Sequence, residues 1–163
     1  MHQTWVVFEL IWYKDVSLKV FDFVWCLLRN RLSIKNNLGS VLLDERVLYV
    51  YGCGGVESVH HLFLNFNIFG FSCYLVCDWV EVSTVDPNSI VDHFHNNAYL
   101  SSGSKQRQSF MRLLWLTIVW VIWQERNDII FNNKAKSMSH LLDKVKYLST
   151  WCAAEEKCCK CFY

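Results

Sequence analysis

The sequence has almost no excess of charge of either sign, with 16 lysines and arginines against 15 aspartates and glutamates and a net charge of +1. A chain this close to neutral has no strong electrostatic attraction to nucleic acid or to an anionic membrane. We therefore expect any nucleic-acid binding to be weak and non-specific, because few counterions would be released.

The sequence also lacks an apolar run that is long enough to cross a bilayer. Its most apolar stretch, Leu113 to Trp123, has eleven residues, whereas a spanning helix needs about 20. Arg112 and the Gln124-Glu125-Arg126 triplet end this stretch on either side. We predict a buried central helix here and no transmembrane segment.

A secretory signal is missing too, since residues 1–13 have no lysine or arginine ahead of their apolar part and Glu9 interrupts it. We expect a cytoplasmic or nuclear chain whose eight cysteines are reduced thiols and form no disulfide framework.

The motifs of the common catalytic sites are absent from the sequence. No Tyr-x-Asp-Asp turn is present to hold two magnesium ions, and the acidic residues are scattered singly. Gly52, Gly54 and Gly55 lack the Lys-Ser/Thr that completes a phosphate-binding loop. No serine or cysteine nucleophile stands in a recognisable setting with a histidine and an acid. We predict a chain that is not an enzyme and has no small-molecule substrate.

Apolar residues, by contrast, are abundant, at 53% of a chain of 163 residues with eight Trp and eleven Phe. This is enough for one domain with a single core. Helical spacing of the apolar residues predicts a small, mainly α domain with a long central helix. The predicted helices are 17–29 (with the apolar stripe Leu18, Phe21, Val24, Trp25 and Leu28), 69–80, 110–131 and 139–151, with a further helix starting at Asp86-Pro87.

A turn, Gly52-Cys53-Gly54-Gly55, precedes a short helical pattern that carries His60 and His61. Val59, Leu62, Phe63 and Phe66 form the buried stripe of that pattern. A thiolate at Cys53 and an imidazole at His61 have the character of zinc ligands, but a zinc site needs four.

These residues, which we call the histidine motif (53–63), resemble the zinc-binding domain after the reverse transcriptase in plant non-LTR (LINE-type) retrotransposon proteins. The family motif is roughly Cys-x2–3-Cys, seven residues, His-Leu-Phe, two residues, Cys. Cys53, Glu57-Ser58 and His61-Leu62-Phe63 match it, whereas Tyr49 or Val50 and Phe66 stand at the outer ligand positions. The resemblance implies a degenerate zinc-knuckle-like turn that has lost its zinc, so we expect no cofactor.

Two further segments resemble the same family. Residues 11–34 are similar to its W-x-K-D-V-P-L-K-V and W-x-L-L-R-N-R-L-P runs, with Ser17 and Ser33 in place of proline. Residues 120–132, which we call the tryptophan motif, resemble W-x-x-W-K-E-R-N followed by F-N. The resemblance covers Ile11 to Trp151 and divides the chain into an N-terminal extension (1–10), a zinc-binding-like region (11–100), a polar loop (101–109), a C-terminal helical part (110–151) and a Cys-rich tail (152–163).

Some polar and thiol residues allow two interpretations. Arg29, Arg31 and Lys35 form either a phosphate-contacting patch or an ordinary solvated helix end. Cys73 and Cys77 share a helix face and favour core packing over metal binding. His93 and His95 point to nearly opposite sides of a helix and are interpreted as surface residues.

The resemblance thus implies a non-catalytic remnant of a retrotransposon polyprotein whose ancestral role was nucleic-acid handling. Two alternatives are an all-helical protein-interaction module and a small membrane-associated protein that uses residues 110–123.

Overall fold

The computed structural model describes residues 17–34, 57–64, 71–79, 89–99 and 103–155. Within these ranges every regular element is helical, which confirms the predicted mainly α fold class. The helices are α1 (Leu18–Leu28), α2 (Val59–Phe63), α3 (Phe71–Trp79), α4 (Ile90–Tyr99), α5 (Lys105–Asn132) and α6 (Met138–Glu155). No helix in this part of the chain is long and apolar enough to cross a membrane.

The long helix α5 is the centre of the fold, and α1, α4 and α6 all pack against it. Every residue from Leu113 to Ile122 is buried, so the middle of the helix is covered on all sides. The predicted buried central helix is confirmed. The helix ends at Asn132, and the next residue, Asn133, adopts the left-handed conformation (φ 51°) that asparagine tolerates well.

The start of α5 differs from the prediction of a polar loop over 101–109. The helix begins at Lys105, because the Ser104 side chain accepts a hydrogen bond from the backbone N–H of Arg107 at 3.3 Å. Lys105 and Gln106 are exposed on this first turn. The polar residues of this segment therefore form the solvent-exposed surface of the first helical turn. Gly103, at φ +145°, supplies the bend before it.

The end of the last helix also differs from the predicted boundary at Trp151. Helix α6 continues to Glu155, and Cys152 is 3% exposed within it. Cys152 is disulfide-bonded, so the prediction that all eight cysteines are reduced thiols is wrong at this position. That prediction assumed a reducing cellular compartment. The redox state of a compartment does not determine how close two particular thiols lie in the fold. Residues 156–163 of the predicted tail lie outside the described ranges.

Helix α1 buries a different face from the predicted stripe. Val20, Phe23, Val24 and Leu27 are buried, whereas Leu18 is 77% exposed. Apolar residues form two overlapping stripes on this helix. The contacts of the Phe23 ring determine which of the two stripes is buried. Its centroid lies 5.4 Å from that of Trp120, 5.5 Å from that of Trp123 and 6.4 Å from that of Phe63. Phe23 therefore joins α1, α2 and α5.

Helix α4 begins at Ile90 and is capped by the Ser89 side chain. The Ser89 Oγ accepts from the backbone N–H of Asp92 at 3.1 Å and donates to the Asp92 Oδ2 at 2.8 Å. The predicted helix start at Asp86-Pro87 falls outside the described residues.

Candidate functional site at the junction of the two motifs

The described part of the histidine motif forms helix α2 and the two residues before it. Ser58 caps the helix, since its Oγ accepts a hydrogen bond from the backbone N–H of His61 at 3.0 Å. Val59, Leu62 and Phe63 are buried, which confirms three of the four residues in the predicted apolar stripe. Phe66, the fourth, is not among the described residues.

Glu57, the residue before this cap, forms a buried ion pair with Arg126 of the tryptophan motif. The Arg126 Nε donates to the Glu57 Oε1 at 2.6 Å, and a guanidinium NH2 group donates to the Oε2 at 3.3 Å. Both side chains are almost fully excluded from solvent, at 0% exposure for Glu57 and 5% for Arg126. A two-bond pair of this kind fixes the relative orientation of the two groups as well as their distance.

The Arg126 guanidinium also holds the segment that follows α1. It donates to the carbonyl of Ser33 at 3.4 Å and to the Asn127 Oδ1 at 3.0 Å. Its central carbon lies 4.9 Å from the centroid of the Trp123 ring, within the range of a cation–π contact. Arg126 therefore connects all three segments that carry the family resemblance: residues 11–34, the histidine motif and the tryptophan motif.

Glu125, the neighbour of Arg126, holds the turn between α5 and α6. Its Oε1 accepts from the backbone N–H of Lys136 at 2.6 Å, and the Lys136 Nζ is 3.6 Å from its Oε2. The same ammonium group donates to the Asp128 Oδ2 at 2.7 Å. This hydrogen bond lowers the pKa of Asp128 and raises that of Lys136. The charged residues of the tryptophan motif thus have structural partners that the sequence alone did not indicate.

His93 does not lie on the surface, and the sequence interpretation was wrong for this residue. It is 5% exposed, and its Nδ1 accepts a hydrogen bond from the Trp115 Nε1 at 2.8 Å. Burial lowers the pKa of His93 to about 4, so the ring is neutral at pH 7. The signal missed was the face it shares with Ile90 and Phe94, both buried on the same helix.

The residues expected at the degenerate zinc site are only partly described. His61 lies on α2, while Cys53 belongs to the undescribed residues 35–56. Among the residues with a described position, no three His, Cys, Asp or Glu side chains are grouped as a metal site would require. Glu57, the nearest acid in sequence, is committed to Arg126. The expected loss of zinc stays a prediction, since Cys53 and Phe66 are not among the described residues.

The predicted basic patch is also only partly described, because Lys35 lies beyond the described range that ends at residue 34. Arg31 is exposed, and the Arg29 guanidinium lies 3.7 Å from the centroid of the Trp25 ring. Arg29 is thus held against its own helix.

Cys77 is buried, at 5% exposure, and burial raises the pKa of its thiol. Core packing is confirmed for Cys77, while the side chain of Cys73 is not described.

Comparisons with protein-family models, curated proteins and solved structures found no match to this chain.

Proposed function

We propose that this chain is a non-catalytic remnant of a non-LTR retrotransposon polyprotein, related to the zinc-binding region after the reverse transcriptase. Its remaining activity is weak, non-specific contact with nucleic acid. The observation that carries this proposal is the buried Glu57–Arg126 pair, because each partner belongs to a segment that resembles the family. Segments that resemble one domain should meet in space if they are still parts of that domain.

The absence of catalysis is part of the proposal and is supported by how the buried acids are used. Glu57 is bound by Arg126, and Glu125 is bound by Lys136. Asp128 is partly exposed and is likewise paired with Lys136. A two-metal or acid–base site needs carboxylates that converge on a substrate. These three carboxylates instead hold parts of the fold together.

The nucleic-acid role is tested by fluorescence anisotropy with a labelled 20-nucleotide single strand, titrated from 20 to 200 mM NaCl. We expect micromolar or weaker affinity at physiological salt, a shallow salt slope and little dependence on base sequence, because few cations are available. Submicromolar affinity with a steep slope would contradict weak binding, and no binding at 20 mM NaCl would contradict the role altogether.

The origin is tested separately by sequencing the genomic DNA upstream of the Met1 codon. A degenerate reverse transcriptase reading frame there is the expected result. An intact, unrelated gene or regulatory region would contradict the proposed origin without bearing on nucleic-acid binding.

A further inference from the structure

One face of the tryptophan motif takes no part in the Glu57–Arg126 ion pair. Trp120, Trp123, Gln124, Asn127 and Asp128 follow the i, i+3, i+4, i+7, i+8 spacing of a single helix stripe. These five residues line an open cleft of about 390 Å³, together with Lys19 of α1 and Lys144 of α6. This volume falls in the ~300–1,000 Å³ range that is usual for ligand sites.

The cleft has more positive than negative charge. Lys19 and Lys144 stand on its two sides, and the one acidic residue in the lining, Asp128, is already paired with Lys136 at 2.7 Å. The Lys144 Nζ donates to the Gln124 Oε1 at 2.9 Å, and a neutral amide does not neutralise the ammonium charge. Burial and the nearby Lys136 lower the pKa of Lys144, while Asp128 and Glu125 act in the opposite direction. An anion between Lys19 and Lys144 would further stabilise their charged forms.

The aromatic rings near the cleft differ in whether they already pack against other residues or are exposed to solvent. Lys19 lies 5.9 Å from the Trp120 ring centroid, while Arg126 and Phe23 pack against Trp123. Phe131, one helical turn beyond Asn127 on the same stripe, is 76% exposed. Phe131 lies seven residues beyond Gln124, which Lys144 contacts, and this is about 10 Å along the helix axis. Exposed aromatic side chains beside cations are how proteins hold single strands without reading their sequence.

We propose that this cleft binds a short stretch of single-stranded nucleic acid, with one phosphate between Lys19 and Lys144 and the base of a neighbouring nucleotide against Phe131. This inference rests on the proposed nucleic-acid role and assigns it to a surface other than the Arg29 and Arg31 end of α1. Glu125 and Arg126 of the tryptophan motif then hold the fold, and the alternate face of the same helix holds the ligand.

The test compares two variants that each lose two positive charges, Lys19→Gln/Lys144→Gln in the cleft and Arg29→Gln/Arg31→Gln outside it. Each is titrated with a labelled oligo(dT) and an oligo(U) in the full chain, after circular dichroism has confirmed unchanged helix content. We expect the cleft variant to bind roughly tenfold more weakly at 50 mM salt. Its salt slope should fall by about 0.7, since the two lysines share one phosphate and each phosphate neutralised on a single strand contributes about 0.7. The Arg29/Arg31 variant should change much less.

A third variant, Phe131→Ala, separates a base contact from simple anion binding. It should weaken oligonucleotide binding by about fivefold or more while leaving the competing effect of inorganic phosphate unchanged. Equal losses in the two charge variants, or a larger loss in the Arg29/Arg31 variant, would overturn the cleft assignment and leave the proposed function standing. Failure of the unmodified chain to bind either oligonucleotide would overturn both.

Discussion

Glu57 and Arg126 are 69 residues apart in the sequence and form a two-bond ion pair whose shorter contact is 2.6 Å. The pair is buried, so neither charge is compensated by water. Removing one partner of such a pair leaves an unpaired charge in the interior, which typically costs about 3–5 kcal/mol. The contact therefore makes the position of α2 depend on the C-terminal half of α5.

The cap next to Glu57 gives the first prediction. Replacement of Ser58 by alanine removes the acceptor for the His61 backbone N–H and should lower the free energy of unfolding by about 0.5–2 kcal/mol. Urea denaturation followed by circular dichroism measures this. Ser109→Ala, inside α5, is the matched control and should be neutral or slightly stabilising, because alanine has the higher helix propensity. Equal effects of the two changes would show that Ser58 does not cap α2.

The buried His93 gives a prediction on pH dependence. Its pKa of about 4 in the folded chain lies below the ordinary value of 6.5, so the unfolded chain binds the proton more readily. The stability associated with neutral His93 is therefore fully present above pH 6.5 and is lost as the pH falls towards 4. The slope is at most about 1.4 kcal/mol per pH unit.

Chemical denaturation between pH 7 and pH 4.5 measures this slope. His93→Gln keeps an acceptor for the Trp115 N–H but cannot take up a proton, so its profile should be flatter than that of the unmodified chain. His140 is exposed, and His140→Gln should leave the profile unchanged. Carboxylates that titrate in the same range affect all three proteins alike. Identical profiles for the unmodified chain and His93→Gln would be inconsistent with a buried neutral His93.

The third prediction concerns zinc. Cys53 and His61 supply two of the four ligands that the family motif implies, and Tyr49 and Phe66 stand at outer ligand positions. We expect elemental analysis to find no stoichiometric zinc in the purified chain. The double change Tyr49→Cys/Phe66→Cys should restore one zinc per chain, since it completes the four-ligand set. One tightly held zinc in the unmodified chain, lost on Cys53→Ser or His61→Ala, would show that substitute ligands complete the site.

The helices were predictable from the sequence where the spacing of apolar residues allows only one interpretation. The run from Leu113 to Trp123 is apolar except for Thr117 and is too short to cross a bilayer, which favours a buried helix. In α1 the sequence offers two overlapping stripes, so the choice between Phe21 and Phe23 as a core residue depends on the rings of Trp120 and Trp123. No local pattern contains that information.

The polar contacts were less predictable. Glu57 and Arg126 each belong to a motif, but nothing in either segment indicates that they meet, because the ion pair joins residues 69 positions apart in the sequence. For His93, the helical spacing indicates only that it points away from His95. Its burial follows from a tryptophan 22 residues further along the chain that donates to it. Both cases are tertiary contacts that override a local preference.

The most direct test of the account is a double-mutant cycle on Glu57→Gln and Arg126→Met, followed by urea denaturation. Each single change should cost about 3–5 kcal/mol, and the double variant should recover on the order of 2 kcal/mol of their sum, since contacting residues couple by about 0.5–3 kcal/mol. Glu57→Gln with the exposed Lys134→Gln is the control pair and should be additive. If a single variant fails to fold, Arg126→Lys gives a milder second arm. Additivity within ~0.5 kcal/mol for Glu57 and Arg126 would contradict the claim that the two motifs form one folded unit.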